Sequence, residues 1–273
     1  MIRRFNAFSD NYIWGVEICE TMCLIDPGES HQVLKYFEKS SRLASIGAIL
    51  ITHLHHDHVG GIGKLVSSKF FGSDDSILLN GSPLVGGLPI FGPGDCQKYG
   101  VEQVVSDGDI ISIASNTFEI FDIPGHTKNH VGYFLKSEDN EHRPAFFCGD
   151  TLFGGGCGRV LGGDITDLYK SLKKISKLPR ETLIYCAHEY TETNLKFAKL
   201  PGTQDVIRLV TDFKQETDLY TEYYQKEANQ KSRHLTRFLA SECFPDKTLE
   251  EVLGPLAELW TTVEKNILKV RGN

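Results

Sequence analysis

Residues 48–58 read AILITHLHHDH. A continuous apolar run passes into a segment where four of the chain's ten histidines occupy six positions, with an aspartate among them. Five or so unbroken apolar residues predict a buried strand, and a strand of this kind demands packed layers on its faces. The polar residues at its end must then be delivered to one edge of a sheet, where rigid elements can hold side chains in a shared pocket.

The same pattern recurs along the first two thirds of the chain. NYIWGVEI (11–18) and MCLID (22–26) predict paired strands, and DIISI (109–113) with FEIFDI (118–123) a hairpin across SNT. VGYFLK (131–136), AFFCG (145–149) and TLIYCAH (182–188) predict further buried strands. Helical spacing appears in HQVLKYFEKS (31–40), from GGIGKLV (60–66), and in ITDLYKSLKKISKL (165–178), where Leu168, Leu172, Ile175 and Leu178 share a face. Segment 74–95, rich in Gly and Pro, predicts a long surface loop. Beyond about residue 190 strand signals fade and Lys, Glu, Gln and Leu dominate. The expected organisation is an α/β body over 1–190 followed by a helical domain over 191–273.

Bulk composition excludes several functions. The net charge of −7 argues against a nucleic-acid partner, which requires a basic footprint. No stretch reaches the ~18 apolar residues of a membrane span. The segment MIRRFNAFSDNYIW lacks the apolar core of a secretory leader. Seven scattered cysteines, an odd number without framework spacing, predict reduced thiols and a cytoplasmic protein. A monomer is expected.

Four stretches carry metal-competent residues just past a predicted strand. THLHHDH supplies His53, His55, Asp57 and His58; PGHT supplies His126; FFCGDTLF supplies Asp150; YCAHEYT supplies His188. Five imidazoles and two carboxylates exceed the three or so protein ligands of one hydrolytic zinc, so two metals with a bridging carboxylate are expected. Residues 53 and 55 point to the same side of an extended segment, while Asp57 and His58 follow the turn and can face a second ion. His56 is then a spacer. His31, His130, His142 and His234 read as ordinary surface or core residues.

Here a resemblance can be stated. THLHHDHVGG resembles the THxHxDH signature of the metallo-β-lactamase superfamily, and PGHT, GDTLF, GCGR (156–159), HEYT and FSDNYIW together resemble the glyoxalase II (hydroxyacylglutathione hydrolase) family over residues 1 to about 200. The resemblance implies an αββα sandwich with a smaller helical C-terminal domain. It implies one metal on His53, His55 and His126, another on Asp57, His58 and His188, and Asp150 bridging. The metals implied are zinc, iron or manganese. The substrate implied is a glutathione thioester, S-D-lactoylglutathione, in methylglyoxal detoxification. Arg159 and Tyr190 would lie against the thiol half.

The chemistry expected of such a site is hydroxide, available near neutral pH beside two divalent cations, attacking the thioester carbonyl. The leaving thiolate, with a pKa near ~8.5, needs no strong general acid, so Asp57 and Asp150 serve the reaction as ligands rather than proton shuttles. The chain departs from the family after GCGR, where Val160-Leu161-Gly162-Gly163-Asp164 replaces the usual aromatic pair, and in its C-terminal part, where KSRHLTRF offers Arg233 and Arg237 as candidates for the substrate carboxylate. Rival readings are a thioesterase for a different thiol carrier, a persulfide dioxygenase with one iron on two histidines and an aspartate, and an RNA-processing nuclease of the same superfamily.

Overall fold

The computed structural model describes residues 1–40, 45–72, 77–84, 89–136 and 143–198. Strands β1 (Ile2–Ala7), β2 (Asn11–Ile18) and β3 (Thr21–Ile25) open the chain, followed by helix α1 (His31–Lys39) and strand β4 (Ser45–Leu50). Two short helices, α2 (His56–Val59) and α3 (Ile62–Val66), follow the histidine segment. Next come β5 (Ile77–Leu79), β6 (Ser82–Pro83), β7 (Ile90–Gly92), a 3-10 turn over Gly94–Tyr99 and β8 (Gln103–Val104). Then β9 (Ile110–Ile113), β10 (Asn116–Asp122), β11 (Val131–Leu135), β12 (Ala145–Gly149), β13 (Leu152–Phe153) and β14 (Gly156–Cys157) lead to helix α4 (Ile165–Ile175), strand β15 (Leu183–Cys186) and helix α5 (Thr191–Ala198).

Two mixed sheets result, ordered β1-β2-β3-β4-β7-β8 and β15-β12-β11-β10-β9-β5-β6. Alternate side chains explain their stacking. Trp14, Val16, Cys23, Ile25, Ala48 and Leu50 of the first sheet meet Ile111, Phe118, Ile120, Val131, Tyr133 and Phe147 of the second in one buried cluster. The opposite face of the first sheet, with Met22, Leu24, Ile46 and Ile49, is covered by Val33 and Phe37 of α1 and Leu65 of α3. The opposite face of the second, with Phe134 and Phe146, is covered by Leu168, Leu172 and Ile175 of α4. The layers are therefore α/β/β/α.

The parallel pairs explain where the polar residues go. β3 pairs in parallel with β4, and β12 with β15, so these strands end at one edge. There the sheets are stitched by backbone hydrogen bonds: Val131 N–H to Thr52 O (2.9 Å), Tyr12 N–H to Ala187 O (2.7 Å) and Glu189 N–H to Asp10 O (2.8 Å).

The structure corrects three boundaries. Segment 74–95 is not one surface loop. β5 pairs with β9, β7 pairs with β4, and Ile77, Ile90 and Phe91 are fully buried. Strands of three residues between Gly and Pro are too short for periodicity to reveal. Helix α4 ends at Ile175, three residues short of the expectation, although Leu178 still packs on its cluster. Its start is set by Asp164, whose carboxylate accepts the N–H groups of Thr166 (2.8 Å) and Asp167 (3.3 Å). The histidine segment itself contains a helical turn, His56–Val59, before the expected helix. Of the helical domain expected over 191–273, only α5 falls within the described residues. No helix among the described residues is long and apolar enough to cross a membrane.

Candidate metal centre

The apolar run of β4 continues through Ile51 and Thr52 to His53, all fully buried. The backbone then turns at His55, the residue before α2, so Asp57 and His58 leave from a helix rather than an extended strand. His126 follows β10, Asp150 follows β12 and His188 follows β15. All seven residues singled out as donors converge at this edge. His56 lies among them in sequence but is exposed.

Two groups form. In the first, His53 Nε2 lies 2.9 Å from His55 Nδ1, and His126 Nε2 lies 3.0 Å from the same atom. One ligand atom from each of His53, His55, His126 and Asp150 fits within 4.8 Å of the others, and the same holds for Asp57, His58 and His188. Asp150 stands between the groups. Its Oδ2 is 3.3 Å from His126 Nε2, while its Oδ1 is 3.5 Å from His58 Nε2 and 3.3 Å from His188 Nε2.

The atoms behind the rings decide their protonation. His126 Nδ1 donates to the carbonyl of Arg159 (2.6 Å) and His188 Nδ1 to Asp10 (2.8 Å). His53 Nδ1 meets Thr52 Oγ1 (3.0 Å), whose own proton goes to Asp26 Oδ2 (2.7 Å). His58 Nδ1 lies 3.0 Å from that same oxygen, which can take its proton. Each of the four rings, when neutral, therefore keeps its proton on the outer nitrogen and turns a bare Nε2 inward.

Several lone pairs aimed at one space call for a cation. Two of the atoms facing it, His58 Nε2 and Asp150 Oδ1, are buried and have no hydrogen-bond partner, an expensive arrangement unless an ion lies between them. The local field points the same way. Burial opposes charge on His188, but Asp150, Asp57 and Asp10 outweigh it and raise its pKa to about 10. Burial likewise opposes charge on Asp150, yet His58, His188 and His126 hold it down to about 2. Asp57 is held well below the usual carboxylate range, first by its contact with His188. His53, buried among other histidines, is driven toward neutrality by burial and then by those neighbours, as a ligand must be. The donor set of imidazole and carboxylate fits a divalent cation of borderline hardness.

The remaining candidates differ in placement. Arg159 is exposed, and it is its carbonyl that touches His126. The Tyr190 ring stacks on His188 (4.9 Å between centroids, 8° between planes) and packs edge-on against Phe153. Arg233 and Arg237 lie outside the described residues.

Sequence reasoning missed the outer ring: Asp10, Asn11, Asp26, Thr52 and His130. Asn11 donates to Asp57 Oδ2 (2.9 Å), and Asp26, held at φ +51°, also accepts the Thr52 N–H (2.8 Å). A usable signal existed for Asp26, a carboxylate ending the apolar run MCLID just as Asp150 ends AFFCG. Close packing leaves room only for glycine at Gly158, where a Cβ would stand 1.9 Å from the Asp150 carbonyl.

Comparison with known proteins agrees with this geometry. The profile of the Metallo-beta-lactamase superfamily matches residues 16–188. A hydroxyacylglutathione hydrolase of Klebsiella pneumoniae is 44% identical over 203 residues, covering 73% of this chain and 71% of that protein. Among solved structures, ETHE1 from Myxococcus xanthus is similar with a TM-score of 0.53 at 25% identity, over 70% of this chain and 76% of that one. TTHA1623 in a di-iron-bound form is similar with a TM-score of 0.50 at 25% identity, over 69% of this chain and 92% of that one. Fold, sequence and the edge that gathers the donors all lead to one conclusion: the chain belongs to the metallo-beta-lactamase superfamily, among its hydroxyacylglutathione hydrolases, the glyoxalase II family.

Proposed function

We propose that this protein is a binuclear metal-dependent thioester hydrolase that converts S-D-lactoylglutathione to D-lactate and glutathione. The observation that carries the reading is Asp150, whose two oxygens face two separate donor groups. His53, His55 and His126 would hold one metal, Asp57, His58 and His188 the other, with Asp150 shared; zinc, or else iron or manganese, suits these donors. The di-iron form of a protein of the same fold supports the count of two, and the name of the Klebsiella relative supports the substrate.

When bound, two such cations supply ionised water near neutral pH and polarise a carbonyl oxygen. The chain's own residues do the rest. The outer acceptors Thr52, Asp26, Asp10 and the Arg159 carbonyl hold the proton of each neutral ring on its outer nitrogen, so the inner nitrogen is the one left for a metal. Asp57 and Asp150 are held ionised, so neither offers a proton to the leaving group. A thioester suits that site, because a thiolate departs without one. We assign the anionic thiol half to the Arg159 side chain, which is exposed, and to Tyr190, which stacks on His188.

The one-iron dioxygenase reading shares the HxHxDH, PGHT and GCGR stretches, so the support for the hydrolase comes from GDTLF and HEYT and from the names of the relatives. The test is hydrolysis of S-D-lactoylglutathione by purified, metal-quantified protein, with oxygen uptake on glutathione persulfide in parallel. Hydrolysis with about two metals per chain is expected. Two metals without hydrolysis would reject the thiol, and oxygen uptake with one iron would reject the reaction class.

A further inference from the structure

His130 takes no part in the chemistry described above, yet it sits against it. The ring is fully buried and lies flat on His53, with 4.6 Å between centroids and 16° between planes. Its Nε2 is 3.2 Å from the backbone nitrogen of Asp150. A peptide N–H only donates, so Nε2 accepts and the ring proton sits on Nδ1. That nitrogen faces the Val131 backbone. Burying an imidazole this completely is costly. A side chain kept only for packing would be cheaper as a hydrocarbon, so the ring is held there for what Nε2 does.

The strand end is shaped to admit it. Gly149 has φ +49°, and a Cβ on it would stand 2.8 Å and 2.9 Å from the His130 ring and 2.5 Å from Thr52 Oγ1. Only a bare α-carbon lets the imidazole come up against the backbone where Asp150 begins. We propose that His130 is a positioning residue for the shared aspartate: by accepting the Asp150 N–H while stacked on His53, it sets the direction of the Asp150 carboxylate relative to both donor groups. The effect is transmitted through the backbone, since a peptide plane held at its N–H limits how the following side chain can swing. The inference rests on the two-metal reading.

Two variants of the full chain separate the acceptor from the ring. His130→Phe keeps a flat ring and removes the acceptor. His130→Gln removes the ring and can return a carbonyl oxygen toward the Asp150 N–H. The readouts are zinc affinity by competition with a chromophoric chelator, thermal melting without metal, and kcat and KM at saturating zinc. In His130→Phe the second zinc equivalent is expected to weaken by ~10–100-fold, the range for lost outer-shell partners, and kcat to fall with KM unchanged. His130→Gln is expected to recover most of both. Wild-type zinc binding in His130→Phe, with only a lower melting temperature, would overturn the proposal, as would a Gln variant no better than Phe. If the Phe variant does not fold, His130→Gln decides alone: two tight equivalents support the role and loss of the second refutes it. A wild-type chain that binds fewer than two equivalents fails the two-metal reading and takes this inference with it; two equivalents bound equally tightly by wild type and His130→Phe fail the inference alone.

Discussion

Asp26 serves both donor groups at once, and Asp26→Asn tests whether the outer ring governs metal binding. Its Oδ2 meets His58 Nδ1 directly (3.0 Å) and, through the Thr52 hydroxyl (2.7 Å), fixes His53 Nδ1 (3.0 Å). Its Oδ1 accepts the Thr52 N–H (2.8 Å). Asparagine has the same shape but only one acceptor. If that oxygen stays on the Thr52 N–H, the amide NH₂ faces the Thr52 hydroxyl and His58, and donates where both now donate. His58 must then carry its proton on Nε2, the atom that should be bare. If the amide turns over, the NH₂ meets the Thr52 N–H instead. Either way a donor faces a donor in a site only 3% exposed. Loss of an outer-shell partner costs about 10–100-fold in metal affinity, roughly 1.4–2.8 kcal/mol at the second group, with a smaller loss at the first. The metal-free protein should also lose ~1.5–3 kcal/mol, the worth of a buried hydrogen bond to a charged group. Chelator competition reads the affinity, and nitrogen NMR of the imidazoles reads which nitrogen of His58 is protonated. Two zinc equivalents bound as in wild type, with the His58 proton still on Nδ1, would refute the reasoning.

The other predictions address the donors, the substrate contact and the proton balance. Asp150→Ala should abolish hydrolysis and lower metal content, because it removes the one side chain shared by both groups; elemental analysis showing normal content would sink the shared role. His56→Ala should leave metal content and rate near normal, the ring being exposed; a large loss in either would mean a ligand had been mistaken for a spacer. Arg159→Ala should raise KM more than it lowers kcat, since the carbonyl that orients His126 survives the change; an unchanged KM places the side chain outside the substrate's reach. Metal binding should release protons. His188, with a pKa raised to about 10, is protonated at neutral pH and must lose that proton to become a ligand, so affinity should rise as pH rises toward 10. Titration calorimetry in buffers of different ionisation enthalpy checks this, and a heat independent of buffer would contradict it.

Much of the fold could be read from the chain because its long strands are apolar and its main helix is amphipathic. AILIT, VGYFLK and AFFCG are buried strands, and α4 buries the face shared by Leu168, Leu172 and Ile175. The hairpin of β9 and β10 was legible too, its turn set by Ala114 at φ +49°. What failed was short. β5, β7 and β8 have two or three residues each, fewer than any periodic pattern needs, and their pairing is imposed by neighbouring strands.

The site divides along a different line. His53, His55, His126, Asp150 and His188 stand shortly after strand ends, Asp57 and His58 follow in the adjoining helical turn, and the densest cluster lies in one stretch of six residues, so chemistry and local sequence coincide. The outer ring has no such signature. Asp26 meets Thr52 at a separation of 26 residues, Asn11 meets Asp57 at 46 and Asp10 meets His188 at 178. Each is one ordinary polar residue whose significance appears only when the two sheets close. The His126 partner is a carbonyl, which any residue at position 159 would supply. Yet these acceptors determine which nitrogen of each ring is bare, and a histidine with its proton on the wrong nitrogen is no ligand. Residue types and spacing thus reveal which atoms can bind a metal. Whether those atoms are available to bind it is decided by contacts between residues that local sequence does not connect.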